Sequence, residues 1–231
     1  MVYVLSCFRT FLLFNMLAEI EAIVGTLDDD YEQLPEDIDT VSLMLTAWQN
    51  ELHAPELLEY KHNLVESLTE KIQSQTELVE SNITERQQDP FVLFILQQEI
   101  ERIKYMIRSY LRCRMEKLEK YTQFLLIERE ERFKLSKHEL EYCTRFHEIL
   151  SRYHSESFLK NLPPQLQSLT EDEMISRPNL KDGVFCKVLE EVGQILLDNQ
   201  QETVQLSKGD IFLICYDNVR NLVNDNKVML I

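Results

Sequence analysis

Few residues of this chain stand at spacings that could do covalent or metal chemistry. Cys143 and His147 lie four apart, about one helical turn, and could offer two ligands to one ion. Glu59-Tyr-Lys-His62 is an E-x-x-H pair, the spacing that di-metal bundles use twice, and no second pair occurs. His138, His147 and His154 follow no H-E-x-x-H pattern, and no G-x-S-x-G is present. The 4 glycines, Gly25, Gly183, Gly193 and Gly209, are too dispersed for a phosphate-cradling loop. The 5 cysteines stand alone without a C-x-x-C, which points to reduced thiols in the cytosol or nucleus rather than to a disulfide framework. Ordinary surface and core roles are expected for all of these residues. No catalytic residue, metal site or cofactor is predicted, and the chain does not read as an enzyme.

The other chemistry on offer is non-covalent, and it sits in residues 99–121. Ile100, Ile103, Ile107, Leu111, Met115 and Leu118 recur in steps of three and four, and Tyr110 and Tyr121 widen the stripe. Arg102, Lys104, Arg108, Arg112, Arg114, Lys117 and Lys120 fall mostly off it. With no Gly or Pro and many good helix formers, the stretch predicts a long helix, apolar on one side and basic on another. It lies in a chain of net charge −16. That charge argues against a general nucleic-acid binder and against anionic membranes, although a local basic patch can still neutralise phosphates. The cations either pair within the chain, with Arg112–Glu116 and Glu116–Lys120 at i,i+4, or meet an acidic partner. Protein contact is the preferred reading of the surplus, and direct DNA contact stays open.

The flanking elements must hold this helix. Residues 1–39 read as a variable, acidic extension. The charge-free run at 10–18 is too short to span a bilayer and lacks the features of a signal peptide. Met16 is a second candidate start, and 16–24 could form an acidic amphipathic helix for a partner groove. A first helix is expected from a cap at Asp39 or Thr40 to about His53. A second opens at Pro55 and runs from about Glu56 to Glu85, with a bend near His62 or Asn63. The third runs from Pro90 towards Glu130. The fourth follows Ser136, where Glu139 three residues on completes a capping-box pattern. Connections this short suggest a bundle over residues 40–160. Pro163, Pro164 and Pro178 bracket a linker at 161–178. From 179 the period shifts to short β-rich runs at 184–189, 194–197, 203–206, 211–216 and 227–231, with a turn or single helical turn at 219–223. The expected fold is α+β, an N-terminal helical bundle domain followed by a small C-terminal β-rich domain at 179–231. A unit of about fifty residues is marginal alone and is expected to dock on something.

Four motifs carry a resemblance: Ala54-Pro-Glu-Leu-Leu58; 101–114, which ends Tyr110-Leu-Arg-Cys-Arg114; Leu162-Pro-Pro-Gln-Leu166; and Pro178-Asn-Leu-Lys-Asp-Gly-Val-Phe185. In this order they resemble the GINS complex of eukaryotic DNA replication, and within it the fourth subunit, which carries its helical domain first and its β domain last. The resemblance covers 40–231. It implies a non-catalytic, nuclear subunit of a four-chain assembly needed for initiation and elongation of chromosomal replication. The implied partners are the three other GINS subunits, the MCM helicase ring and the third helicase component. A replisome adaptor or polymerase is a further implied partner, through the N-terminal tail, and no membrane is involved. Ile103, Ile107, Arg108, Tyr110, Leu111, Arg112, Arg114, Leu118, Val184, Phe185 and Ile231 are the expected interface residues. An unrelated cytoplasmic helical adaptor is the alternative.

Overall fold

The computed structural model describes residues 34–85, 90–163, 167, 169, 174–197 and 202–231. The expectations for 1–33, including the 16–24 helix, and for much of the 161–178 linker lie outside the described residues. Helix α1 (Leu34–His53) starts ahead of the predicted cap. Pro35 sits in its first turn, where a missing N–H costs nothing. Helix α2 (His62–Glu85) begins at the predicted bend rather than at Glu56. Residues 54–61 are irregular instead, because their backbone is claimed by other elements. Tyr60 N–H donates to the Lys134 carbonyl at 3.0 Å, and the Leu58 and Glu56 carbonyls accept from Arg114 and Lys117, at 2.7 and 2.8 Å.

Helix α3 (Pro90–Ile127) contains the 99–121 stretch. It bends at Tyr121 (φ −113°, ψ 17°), where the Thr122 hydroxyl donates to the Leu118 and Glu119 carbonyls, a side-chain intrusion of the kind that bends helices. Short helix α4 (Arg129–Arg132) follows. Helix α5 (Lys137–Ser157) opens on the predicted capping box: Ser136 Oγ accepts from Glu139 N–H, and a Glu139 carboxylate oxygen accepts from Ser136 N–H at 2.8 Å. A 3₁₀ turn at Leu159–Asn161 ends the helical part.

The helices enclose two apolar clusters. In one, Met44 of α1 and Leu68 of α2 meet Met106, Ile107 and Tyr110 of α3. In the other, Leu57 of the irregular segment meets Leu118, Tyr121 and Leu125 of α3 and Cys143 of α5. α3 contributes to both, so its stripe is the spine of the helical part. Among the described residues no helix is long and apolar enough to cross a membrane.

The C-terminal part is an antiparallel three-stranded sheet, in the order β4 (Ile211–Cys215), β1 (Gly183–Val188), β5 (Val228–Leu230), with a separate hairpin of β2 (Gly193–Leu197) and β3 (Glu202–Leu206). The predicted helical turn is a nine-residue helix, α6 (Tyr216–Asn224), whose Tyr216, Val219 and Val223 are buried on the inner side. β1 alternates faces: Val184, Cys186 and Val188 point into the core and Phe185 points out. The turn into β4 needs Gly209, at φ +93°, a conformation that a side chain would strain.

Candidate protein-interaction site

Where the helical and sheet parts meet, a charged network fills the interior. Arg114, on the apolar stripe of α3, has no solvent exposure. Its Nε and Nη2 donate to the two carboxylate oxygens of Glu139 at 2.7 and 3.1 Å. Its Nη1 donates to Glu51 Oε2 at 3.0 Å, and the guanidinium lies over the Tyr60 ring at 5.2 Å. This fork geometry suits Arg and not Lys. One turn on, Lys117 donates to Glu51 Oε1 and to the Glu51 and Glu56 carbonyls. Each element positions one group: α1 presents Glu51, the irregular segment Glu56, the capping box Glu139.

Glu56 is the second node. Arg220 Nε and Nη2 donate to its two oxygens, each at 2.6 Å, Tyr216 OH donates at 2.8 Å, and Lys134 Nζ donates at 2.9 Å. Lys134 also donates to Glu131 at 2.8 Å. Nearby, Leu230 N–H donates to Asn50 Oδ1 at 2.8 Å. Among the described residues no buried side-chain nitrogen or oxygen lacks a partner, as a charged interior requires.

The network sets the titration of its members. Burial alone would lower the affinity of Arg114 for its proton, but the Glu139 hydrogen bonds and the Glu51 charge outweigh it and raise the pKa. Tyr110 is pushed up to about 12, first by burial. Burial alone would raise the Glu56 carboxyl, but hydrogen bonds from Arg220, Lys134 and Tyr216, with the Lys134 charge, hold it below the ordinary carboxylate range. A carboxyl depressed on folding stabilises the fold above its unfolded pKa, and that contribution is lost as pH falls through the folded value. Glu56→Gln is therefore expected to lower stability near neutrality, and its gap from the parent chain to close below about pH 4. Denaturant unfolding of both chains at stepped pH checks this; a gap that does not change with pH contradicts it.

Outside the network, large apolar side chains face solvent on several elements. Phe185, Ile211 and Leu213 are each more than half exposed on the outer face of the sheet, where Phe185 and Leu213 are cross-strand partners. Ile149, Tyr153 and Phe158 are exposed along α5 and its end, and Leu78, Phe94 and Leu96 on α2 and early α3. Exposed apolar groups like these make the surface a candidate for protein contact.

The residues singled out from sequence divide accordingly. Ile107, Tyr110, Arg114, Leu118 and Val184 are buried inside the chain, so they hold its own core and a partner does not reach them directly. Ile103 and Leu111 are half-buried against the α1–α3 cluster. Arg108, Arg112, Phe185 and Ile231 are exposed. The expected i,i+4 pairs of Arg112, Glu116 and Lys120 do not form among the described residues. Glu99–Arg102, Glu101–Lys104 and Glu101–Arg108 form instead, and Lys120 stacks on Tyr121. Sequence reasoning missed Glu51, Glu56, Lys134, Tyr216 and Arg220. A signal for Glu51 existed: it falls three residues after Trp48 and seven after Met44, on the apolar side of its helix.

Two family models match this arrangement. Residues 63–158 match a GINS complex protein helical bundle domain, and residues 178–231 match the C-terminus of the DNA replication complex GINS protein SLD5. Relatives named DNA replication complex GINS protein SLD5 include one from Homo sapiens, 35% identical over 80% of this chain and 86% of the relative. One from Arabidopsis thaliana is 33% identical over 87% and 95%, and one from Dictyostelium discoideum is 34% identical over 80% and 88%. The helices α2 to α5 and the sheet part thus correspond to the two matched regions, in order, and the chain belongs to the SLD5 family of GINS proteins.

Proposed function

We propose that this chain is a non-catalytic structural subunit of the GINS complex, the fourth, acting in initiation and elongation of chromosomal DNA replication in the nucleus. Its partners are the three other GINS subunits in a heterotetramer, and through that tetramer the MCM ring and the third helicase component. The N-terminal extension, 1–39, is the proposed contact for a replisome adaptor or polymerase. The bundle at 40–160 and the β domain at 179–231, joined by 161–178, supply the tetramer contacts. Of the residues singled out from sequence, Arg108, Arg112, Phe185 and Ile231 touch partners, and Ile103, Ile107, Tyr110, Leu111, Arg114, Leu118 and Val184 support that surface from within.

One observation carries this reading: a chain with well-packed interiors leaves large apolar side chains exposed on its sheet, on α5 and on the α2–α3 end. Exposed apolar area of this kind is the mark of an assembly subunit rather than of a free monomer. Co-expression with the three other subunits is expected to yield a stoichiometric tetramer, while the chain alone aggregates or is poorly soluble. A well-behaved monomer that ignores those subunits would overturn the proposal.

The surface itself is tested by Phe185→Asp. Because Phe185 is more than half exposed, the substitution is expected to leave the chain's own stability within about 1 kcal/mol, yet to weaken recovery of the tetramer at least about tenfold. Affinity pull-down with quantified subunit ratios reads this, and full recovery would remove the sheet face from the interface.

A further inference from the structure

We propose that Glu56 is a buried pin that fixes the sheet part onto the helical part, so that neutralising it lets the sheet part move as a body while both parts keep their folds. The inference concerns contacts within this chain and stands apart from its role in the complex.

The pin follows from how little else joins the two parts. In the apolar cluster of the sheet part, the helical side supplies Ala54, buried, and Leu58, partly buried. A methyl group and part of one leucine are a small apolar contribution from the helical side. The polar contacts converge on one carboxylate. Arg220 grips both of its oxygens at 2.6 Å and Tyr216 donates to it at 2.8 Å, both from α6. The next ion partner of Arg220, Glu131, is farther off at 3.9 Å. A further side-chain link across the junction is Asn50 to the Leu230 amide.

The base of the pin is rigid. Its own carbonyl accepts from Lys117, the Leu58 carbonyl accepts from Arg114, and Lys134 donates to its carboxylate from the helical side. Glu56 is therefore covalently part of the helical half and electrostatically part of the sheet half. The sheet part has its own interior, in which Val188, Leu206, Val219 and Val228 are almost fully buried, and the carboxylate meets it at the Tyr216 hydroxyl. Glutamine keeps the shape of the side chain but gives up the charge that holds Arg220, and charge-assisted hydrogen bonds are the strong ones. The apolar pair Phe185 and Leu213 is carried on the sheet part, so the pin also fixes where that face points.

Amide exchange read by NMR on the full chain, in the assembly with which it co-purifies, tests the pin. The reporter is the Leu230 amide, whose acceptor lies across the junction. The controls are the Val188 amide, bonded to Asp210 within the sheet part, and the Leu118 amide within α3. In Glu56→Gln the Leu230 amide is expected to exchange at least about tenfold faster than in the parent chain while both controls still exchange at least about tenfold more slowly than Leu230, the pattern of a sub-global opening that precedes global unfolding. Arg220→Gln lies at the rim and removes the same contact from the other side, so it is expected to give the same pattern. The double variant is expected to add nothing to the larger single effect. Unchanged Leu230 exchange in both single variants overturns the proposal. So do controls that exchange at the same rate as Leu230 in the variants, which would mean that the chain opens only as a whole, and so do additive effects in the double variant.

Discussion

Arg114→Met is expected to cost the chain about 3–5 kcal/mol of folding stability, the range for removing one partner of a buried ion pair. The guanidinium has no exposure and satisfies Glu51, Glu139 and two main-chain carbonyls, those of Leu58 and Lys134. Methionine fits the space but leaves two carboxylates facing each other with fewer donors, and the Leu58 carbonyl without its bond. Much of the loss is thus the penalty for the groups left behind rather than the worth of the pair. Arg114→Lys keeps the charge but cannot hold both Glu139 oxygens and reach Glu51, so it is expected to recover only part of the stability. Urea unfolding of the parent and both variants reads the difference. A loss under about 1 kcal/mol for Arg114→Met would show that the network contributes little. Because Glu139 also closes the capping box on Ser136, the start of α5 is expected to fray with it.

Leu118→Asp is the second large effect, and it is expected to prevent stable folding. Leu118 is fully buried among Leu57, Tyr121, Leu125 and Cys143. The substitution forfeits about 1.5–3 kcal/mol of side-chain burial and adds the cost of a buried carboxyl with no donor, together close to the whole stability of an ordinary domain. Leu111, seven residues earlier on the same helix, belongs to the same apolar stripe in the sequence, and Leu111→Asp is the matched comparison. Leu111 is only half-buried, so the carboxylate can reach water, and the expected loss is about 1–3 kcal/mol. Thermal melting of the two variants side by side distinguishes them. Equal behaviour would mean that burial along α3 does not set the cost.

Periodicity in the sequence was enough for the helix over 99–121, the capping box at Ser136 and Glu139, and the change to strands after 179. Each of these depends on residues within a few positions of one another, where helix and strand geometry fix who meets whom. The same reasoning placed Ile107 and Leu118 on the apolar stripe, and both are buried. It failed at 54–61, where a proline followed by good helix formers suggests a helix start, because hydrogen bonds from α3 and Lys134 to that backbone outweigh a weak local preference.

It also left open which cations of α3 turn inward. Arg112 and Arg114 are two residues apart, hence about 200° apart around the helix, and one is exposed while the other is sealed. The stripe runs from Ile107 through Tyr110 and Arg114 to Leu118, so Arg114 occupies a core position that composition alone marks as polar. By itself, then, the chain's sequence determined most of its elements, their apolar faces and its family resemblance, because those are local patterns of residue type. Only the tertiary structure decided that Arg114 meets Glu139 25 residues away and Glu51 63 residues away, and that Arg220 meets Glu56 across 164. Charges pair by distance in space at low local dielectric, and periodicity gives the direction of a side chain without saying what stands in front of it.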